Sequence, residues 1–162
     1  MPLRFRPLAF YLLAVCALPA FGKGTLCERN EINYSTCLSG SRLISLCASR
    51  DLDGQNGYMQ FRYGKPGKIE ISYPDKTQNP RYVFFESHRS YTDGSESRIS
   101  FTREGAKYVL FTNTVWATGK ITHGLVISRP GQLPKKYPCI HPTATVHTFP
   151  GSIFGQEAFA DE

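Results

Sequence analysis

The chain has 162 residues and a formal net charge of +6 at pH 7, with 19 basic and 13 acidic side chains. This length is typical of one domain that can bury a core of its own. The densest basic cluster is Lys135 and Lys136. Nucleic-acid-binding domains carry a basic patch or stripe, so nucleic acid is not expected as a partner.

Residues 1–22 are predicted to form a secretory signal peptide that is cleaved near Gly22. Two arginines form a basic start, and an apolar run follows over residues 8–18. The run is shorter than the roughly 20 residues of a membrane-spanning helix, so no transmembrane segment is predicted. Lipoprotein processing at Cys16 is an alternative. Cleavage leaves 17 basic and 13 acidic side chains, a net charge of +4, on a periplasmic or secreted protein.

Four cysteines follow the predicted signal peptide: Cys27, Cys37, Cys47 and Cys139. An even set in an oxidising compartment predicts two disulfides, and four cysteines allow three pairings. We favour Cys27–Cys37, which would close an N-terminal loop over residues 23–40, together with Cys47–Cys139. The spacing lacks the Cys-x-x-Cys pattern of zinc sites, so no metal is expected at these cysteines. No cofactor is predicted.

Residues 41–129 are predicted to form an all-β domain, a single antiparallel meander closing a small barrel or sandwich. Glycine and proline punctuate the segment at the intervals that this class shows. Predicted strands cover residues 43–49, 81–86 and 125–128, with a polar loop over residues 87–97 and a short strand around Trp116.

Residues 130–162 are predicted to be an irregular, proline-rich tail that is tied to the domain at Cys139. Its aromatic residues Phe149, Phe154 and Phe159 either dock onto the domain or do little.

A first hairpin is predicted within residues 57–74. The alternation of apolar and polar residues favours a register that pairs Arg62 with Glu70 across a short loop. In this register Phe61 and Tyr63 face the core, and Arg62 belongs to an outward polar face.

A second hairpin is predicted around a two-residue turn at Glu104 and Gly105. Its register pairs Phe101 with Tyr108 and places Lys107 on the opposite, outward face.

No catalytic residues are predicted. His88 lies among serines and acids, but the chain lacks the Gly-x-Ser-x-Gly motif of a nucleophile elbow. Cys139, His141 and His147 resemble fragments of a metal site, yet the backbone around them is proline-rich. Glu70 and Glu86 are candidate glycosidase carboxylates, but pairing with Arg62 would make Glu70 a poor general acid.

Surface recognition remains as the expected function. Tyrosine and arginine are enriched at binding hot spots, and the strands carry several on their predicted outward faces. The alternative is that these residues only keep the sheet soluble. The candidate binding residues of the first hairpin are Tyr58, Gln60 and Arg62, with Tyr82, Arg98 and Lys107 elsewhere.

The runs SRLISLCAS, GYMQFRYGKPGKIEISYP and RISFTREGAKYVLF, within residues 41–113, resemble a family of small exported bacterial proteins without an assigned activity. A looser similarity is to the periplasmic and membrane-bound inhibitors of c-type lysozyme, which are disulfide-tied β-barrels. Their early and late cysteines resemble Cys47 and Cys139. Their inhibitory Ser-Gly-x-x-Tyr loop resembles Glu104-Gly105-Ala106-Lys107-Tyr108, with glutamate in place of the serine.

Together these features predict an exported, non-catalytic module of the bacterial envelope that binds a protein partner as an inhibitor or immunity protein does. The resemblance adds Glu104, Gly105 and Tyr108 to the candidate binding residues and again includes Lys107. The alternatives are an envelope hydrolase with an unrecognised site and a passive envelope component.

Overall fold

The computed structural model describes residues 24–142 and 153–160. The predicted signal peptide, the alternative processing site at Cys16, His147 and Phe149 lie outside the described residues.

The described residues form two sheets packed face to face. The first sheet has the strand order β10-β1-β2-β3-β4 and the second has the order β11-β5-β6-β7-β8-β9. Neighbours are antiparallel, except that β11 runs parallel to β5. The strands are β1 (Ile32–Ser39), β2 (Arg42–Ala48), β3 (Met59–Lys65), β4 (Lys68–Gln78), β5 (Phe85–Tyr91), β6 (Gly94–Arg103), β7 (Ala106–Val115), β8 (Lys120–Ser128), β9 (Lys135–Pro138), β10 (His141–Pro142) and β11 (Gly155–Gln156).

The prediction of an all-β, antiparallel, disulfide-tied fold is confirmed. The sheets do not close into a barrel, so the architecture is that of a sandwich. Each sheet turns one apolar face toward the other, because side chains alternate between the two faces of a strand.

Stacked aromatic rings hold the two sheets together. The Phe101 ring on β6 stacks on Tyr73 of β4 at 4.4 Å and on Tyr108 of β7 at 4.8 Å between ring centroids. Phe84 meets the same ring edge-on at 5.5 Å. Phe101 is 2% exposed, and its ring contacts aromatic rings of both sheets.

The second hairpin is confirmed in its register. β6 and β7 pair Phe101 with Tyr108 and Thr102 with Lys107. Glu104 and Gly105 adopt φ values of 50° and 71°, and positive φ at both central residues is the type I′ turn that matches the twist of a two-residue hairpin.

The register predicted for the first hairpin is wrong by two residues. Arg62 pairs with Ser72 rather than with Glu70, and Tyr63 pairs with Ile71. Irregularities in the β3–β4 pairing account for part of the shift. A shift by an even number leaves every side chain on its predicted face, so Phe61 still packs in the core.

The segment predicted as a strand and a polar loop is arranged differently. A 3-10 helix, Pro80–Tyr82, precedes β5, and β5 and β6 form a continuous hairpin through residues 87–97. The ends of these two strands that are joined by the turn lie in solvent and carry polar residues on both faces. The apolar alternation that identifies a strand in a sequence is therefore absent there. Trp116 lies in the turn after β7 rather than in a strand.

The predicted disulfide pairing is wrong, although all four cysteines are paired. The bridges are Cys27–Cys47 and Cys37–Cys139. Residues 32–39, assigned to a loop, form β1 beside β2. There Cys37 faces the second sheet, whereas Cys47 faces the opposite side, where residues 24–31 lie.

The tail is more ordered than predicted. It contributes β9, β10 and β11, and its tie at Cys139 is confirmed with Cys37 as the partner. Phe154 is 6% exposed, and Phe159 lies against two arginines. Both therefore dock onto the domain.

In the described part of the chain, no helix has the length and apolar character needed to cross a membrane.

We expect Phe101→Ala to lower the free energy of unfolding by about 3–5 kcal/mol, because it leaves a cavity where two rings now stack. Urea unfolding followed by circular dichroism measures this. Tyr82→Ala is the matched control: Tyr82 is 74% exposed, so its loss should change stability by about 0.5 kcal/mol or less. Equal effects of the two substitutions would contradict this account of the core.

Candidate functional site: a cleft between the sheets

A cleft of about 290 Å³ opens between β1 and β2 of the first sheet and β5 to β8 of the second. Its position follows from unequal cover of the second sheet. The inner face of that sheet is buried at Phe101 and Tyr108, but Ser97 is exposed and Thr112 half-buried. The first sheet therefore covers only part of this face, and the cleft lies where the cover ends.

The floor of the cleft is apolar and its rim is polar. One row across β6, β7 and β8 is apolar, and the next row toward the strand ends carries hydroxyls and an imidazole. A mostly apolar pocket with a few placed polar groups is the usual composition of a binding site. The floor row is Ile99, Leu110 and Leu125, and the rim row is Ser97, Thr112 and His123.

His123 contributes an imidazole to the rim of the cleft. Its Nδ1 lies 2.9 Å from Thr112 Oγ1, and burial lowers the pKa of the imidazole. The side chain is therefore neutral at physiological pH and can both donate and accept a hydrogen bond.

Tyr34 and Glu86 form the opposite side of the rim. Burial, and then the negative charge of Glu86, raise the pKa of the Tyr34 hydroxyl, so it stays protonated. The Tyr34 ring packs edge-on against Phe154 at 6.0 Å. Glu86 Oε2 accepts a long hydrogen bond of 3.5 Å from Gln156. Glu86 gives this side of the cleft a negative charge.

His88 lies outside the cleft on the same sheet. Its Nδ1 is 3.0 Å from Ser97 Oγ and its Nε2 is 3.1 Å from Ser90 Oγ. The imidazole thus contacts two hydroxyls, and neither ring nitrogen contacts the carboxylate that orients histidine in a catalytic triad.

The predicted outward face of the first hairpin is buried. Arg62 is 5% exposed and Gln60 is 8% exposed, because residues 24–31 cross over them. The predicted ion pair of Arg62 with Glu70 is wrong. Arg62 pairs with Glu31, and Glu70 instead pairs with Arg42 at 2.8 Å near the surface.

The Arg62–Glu31 pair is the centre of a buried polar network. Arg62 donates from both terminal nitrogens to Glu31, at 2.7 and 2.8 Å, and to Leu26 O at 2.9 Å. The Tyr58 hydroxyl donates to Glu31 at 2.9 Å. Burial alone would raise the pKa of Glu31, but these hydrogen bonds, the Glu28 amide and the charge of Arg62 hold it below its usual value.

The first-hairpin residues thus serve the fold rather than a surface. Tyr58 is half-buried with its hydroxyl engaged, and Gln60 donates to Pro74 O at 2.9 Å. The Glu31 carboxylate also lies close to the sulfurs of Cys27 and Cys47, but these sulfurs are bonded to each other and the carboxylate to Arg62.

The second-hairpin candidates are divided between surface and core. Glu104 and Gly105 are exposed at the turn. Lys107 is half-buried, with its Nζ 3.7 Å from Glu157 Oε1. Tyr108 is 4% exposed and part of the aromatic core, so the folded hairpin does not present it as the inhibitor loop would require.

Sequence reasoning missed the cleft residues Tyr34, Thr112 and His123. A usable signal was present, since His123 shares a strand face with Leu125 and Ile127. A polar residue that ends an apolar alternation marks the edge of a core.

No protein-family model, no curated protein and no solved structure matches this chain.

We expect Arg62→Ala to cost about 3–5 kcal/mol of stability, because it leaves the Glu31 carboxylate buried without its partner. Arg42→Ala removes the arginine of an exposed pair and is the matched control, with little effect on stability because solvent screens the pair. Chemical denaturation of both variants measures the difference. If Arg62→Ala were as mild as Arg42→Ala, the pair would not organise the first sheet.

We expect His123 to titrate below the usual histidine pKa of about 6.5. The unfolded chain then binds this proton more tightly than the folded one. The contribution of His123 to stability is therefore complete above about pH 6.5 and is lost as the pH falls below that value. Imidazole chemical shifts followed by NMR measure the pKa, and unfolding of His123→Phe across the same pH range should show a shallower loss. A His123 pKa above 6.5 would contradict the burial argument.

Proposed function

We propose that this protein is an exported, non-catalytic binding protein of the bacterial envelope, of the inhibitor or immunity type, whose partner is another protein. The cleft is the observation that carries the proposal. Its volume of about 290 Å³ is enough to admit a large apolar side chain of a partner, and interface hot spots are side chains that fill pockets. The two disulfides are compatible with an oxidising compartment.

Pre-organisation of the cleft supports binding. The Cys37–Cys139 disulfide lines it and joins β1 to the segment that follows β9. The bridge is a covalent bond between the two walls, so it restricts their movement relative to each other. A rigid site binds with a smaller loss of conformational entropy.

The chemistry of the rim favours binding over proton transfer. His123 on β8 and Glu86 on β5 are separated by β6 and β7, which corresponds to about 14 Å at the usual strand spacing. They are too far apart to act on one proton. Neutral His123 and charged Glu86 instead fit a ligand that offers an apolar group to the floor and a hydrogen-bond donor or cation to the Glu86 side.

A hydrolase is the second candidate, and one contact favours it. Ser97 Oγ lies 3.0 Å from His88 Nδ1, which is the distance of a nucleophile from its general base. The position beyond His88 holds Ser90 rather than a carboxylate. The pair lacks the group that would orient the imidazole and stabilise its charged form, so the binding function is favoured.

We expect a cleft-blocking substitution to abolish binding. Residues 23–162 with Ser97→Tyr, which adds a ring at the exposed rim, should fail to retain the envelope protein that the unsubstituted chain retains. The measurement is affinity capture from envelope extract followed by mass spectrometry, with the affinity of the purified partner then determined by calorimetry. A loss of at least about tenfold corresponds to one blocked anchor side chain.

Thr77→Tyr is the control, since it adds the same ring at an exposed position of β4. A partner that both variants retain equally would place the site outside the cleft. Failure to retain any protein would contradict the proposal and favour a passive envelope component. Ester hydrolysis by the unsubstituted chain that Ser97→Ala abolishes would instead establish the hydrolase.

A further inference from the structure

The outer face of the second sheet, opposite the cleft, carries an extended segment of the chain itself. Gly155 N donates to Phe84 O and Glu157 N donates to Glu86 O, both at 3.0 Å. These bonds add residues 155–157 to the sheet edge as a short parallel strand. Addition of a strand to an exposed edge is a common mode of peptide recognition, in which the backbone supplies affinity and side-chain sites supply specificity.

The first side-chain site accepts a carboxylate. Glu157 Oε1 accepts a hydrogen bond of 2.5 Å from Ser100 Oγ and lies 3.7 Å from Lys107 Nζ. Ser100 is 2% exposed although it points away from the core between the sheets. A buried hydroxyl beside a lysine is a specific site for one acidic side chain.

The second site accepts an aromatic ring. The centroid of the Phe159 ring lies 3.9 Å from the guanidinium carbon of Arg98 and 4.3 Å from that of Arg89. Arg98 also donates to Ala160 O at 2.5 Å and to Glu96 Oε1 at 2.7 Å. The Glu96 carboxylate offsets the charge of Arg98, which reduces the repulsion between the two guanidinium groups that contact this ring.

A groove continues this surface beyond Arg98. Its volume is about 240 Å³, and it crosses β7 and β8 between Glu96 and Lys136. Its floor includes Val109, Phe111 and Val126. Residues 153–160 do not line it, so the recognition surface is longer than the described part of the segment that lies on it.

We propose that this face is a peptide-binding site for an extended acidic segment with the pattern Glu-x-aromatic, contributed by a partner protein, and that residues 155–160 are a resident competitor of the same chemistry. The carboxylate of the partner takes the Ser100–Lys107 site and its ring takes the Arg89–Arg98 site. Its continuation lies in the groove toward Lys136. Both side-chain sites lie on the face of the sheet opposite the cleft.

Residues 155–160 occupy the site and compete with any free peptide that is added. A tethered ligand acts at an effective concentration in the millimolar range, so it outcompetes a free peptide of equal intrinsic affinity. Weakening the resident segment should therefore increase the affinity for a free peptide, whereas weakening the site should decrease it. A purely structural contact would give no such gain.

The experiment measures fluorescence polarisation of a labelled peptide with the sequence FGQEAFADE, which is that of residues 154–162, against residues 23–162. Phe159→Ala in the protein should increase the affinity for this peptide about tenfold, because the resident loses its ring contacts. Adding Arg98→Ala should remove the gain. Adding Arg129→Ala, which removes an exposed arginine elsewhere, should leave the gain intact, and a peptide with alanine in place of its second phenylalanine should not bind.

Thermal unfolding shows whether Phe159→Ala remains folded, and Glu157→Gln weakens the resident at the other site if it does not. Equal affinity of the unsubstituted and both weakened proteins for the peptide would overturn the proposal. So would a gain that survives Arg98→Ala, since binding would then be non-specific. A dimer of the unsubstituted protein that excess peptide fails to dissociate would also overturn it, because the occupant would then be a second copy of this chain.

Discussion

The Glu31 carboxylate and the Arg62 guanidinium are both buried, with side chains 1% and 6% exposed, and buried charges are tolerated only when they are paired and hydrogen-bonded. Arg62 belongs to β3, whereas Glu31 precedes β1. Their pairing draws residues 24–31 across the outer face of the first sheet, where the Cys27–Cys47 disulfide holds the same segment. That part of the outer face is thereby covered by the chain itself.

The described segments near the two chain ends act as covers for the two sheets. Residues 24–31 lie on the first sheet, and residues 155–160 lie along the edge and outer face of the second. A sandwich of two sheets would otherwise leave both outer faces in water. The cover explains why Ser45 and Ser100 are almost fully buried although both point away from the central core. Their hydroxyls bond to the covering segments, to Leu26 N and Glu157.

The sequence predicted local features well and long-range ones poorly. The turn and the register of the β6–β7 hairpin were predictable, because a turn that needs positive φ and a strict alternation specify one register. Alternation determines which face of the sheet a residue lies on, but registers that differ by two residues give the same faces. The predicted β3–β4 register could therefore be displaced by two residues. The partner of Arg62 and the disulfide pairing depend on β1, whose mixed polar sequence resembles a loop. Those contacts are set by the tertiary fold, which no local pattern contains.

The cleft arises because strands of the two sheets differ in length, and this difference is visible in the sequence. β6 and β7 have 10 residues each, whereas β2 and β3 have 7, and three further residues extend a strand by about 10 Å. The uncovered inner face must then change from apolar to polar at the end of the cover, and all three central strands change at the same row. Coincident changes on paired strands therefore locate the open edge of a sandwich. The paired positions before the change are Ile99, Leu110 and Leu125, and those after it are Ser97, Thr112 and His123.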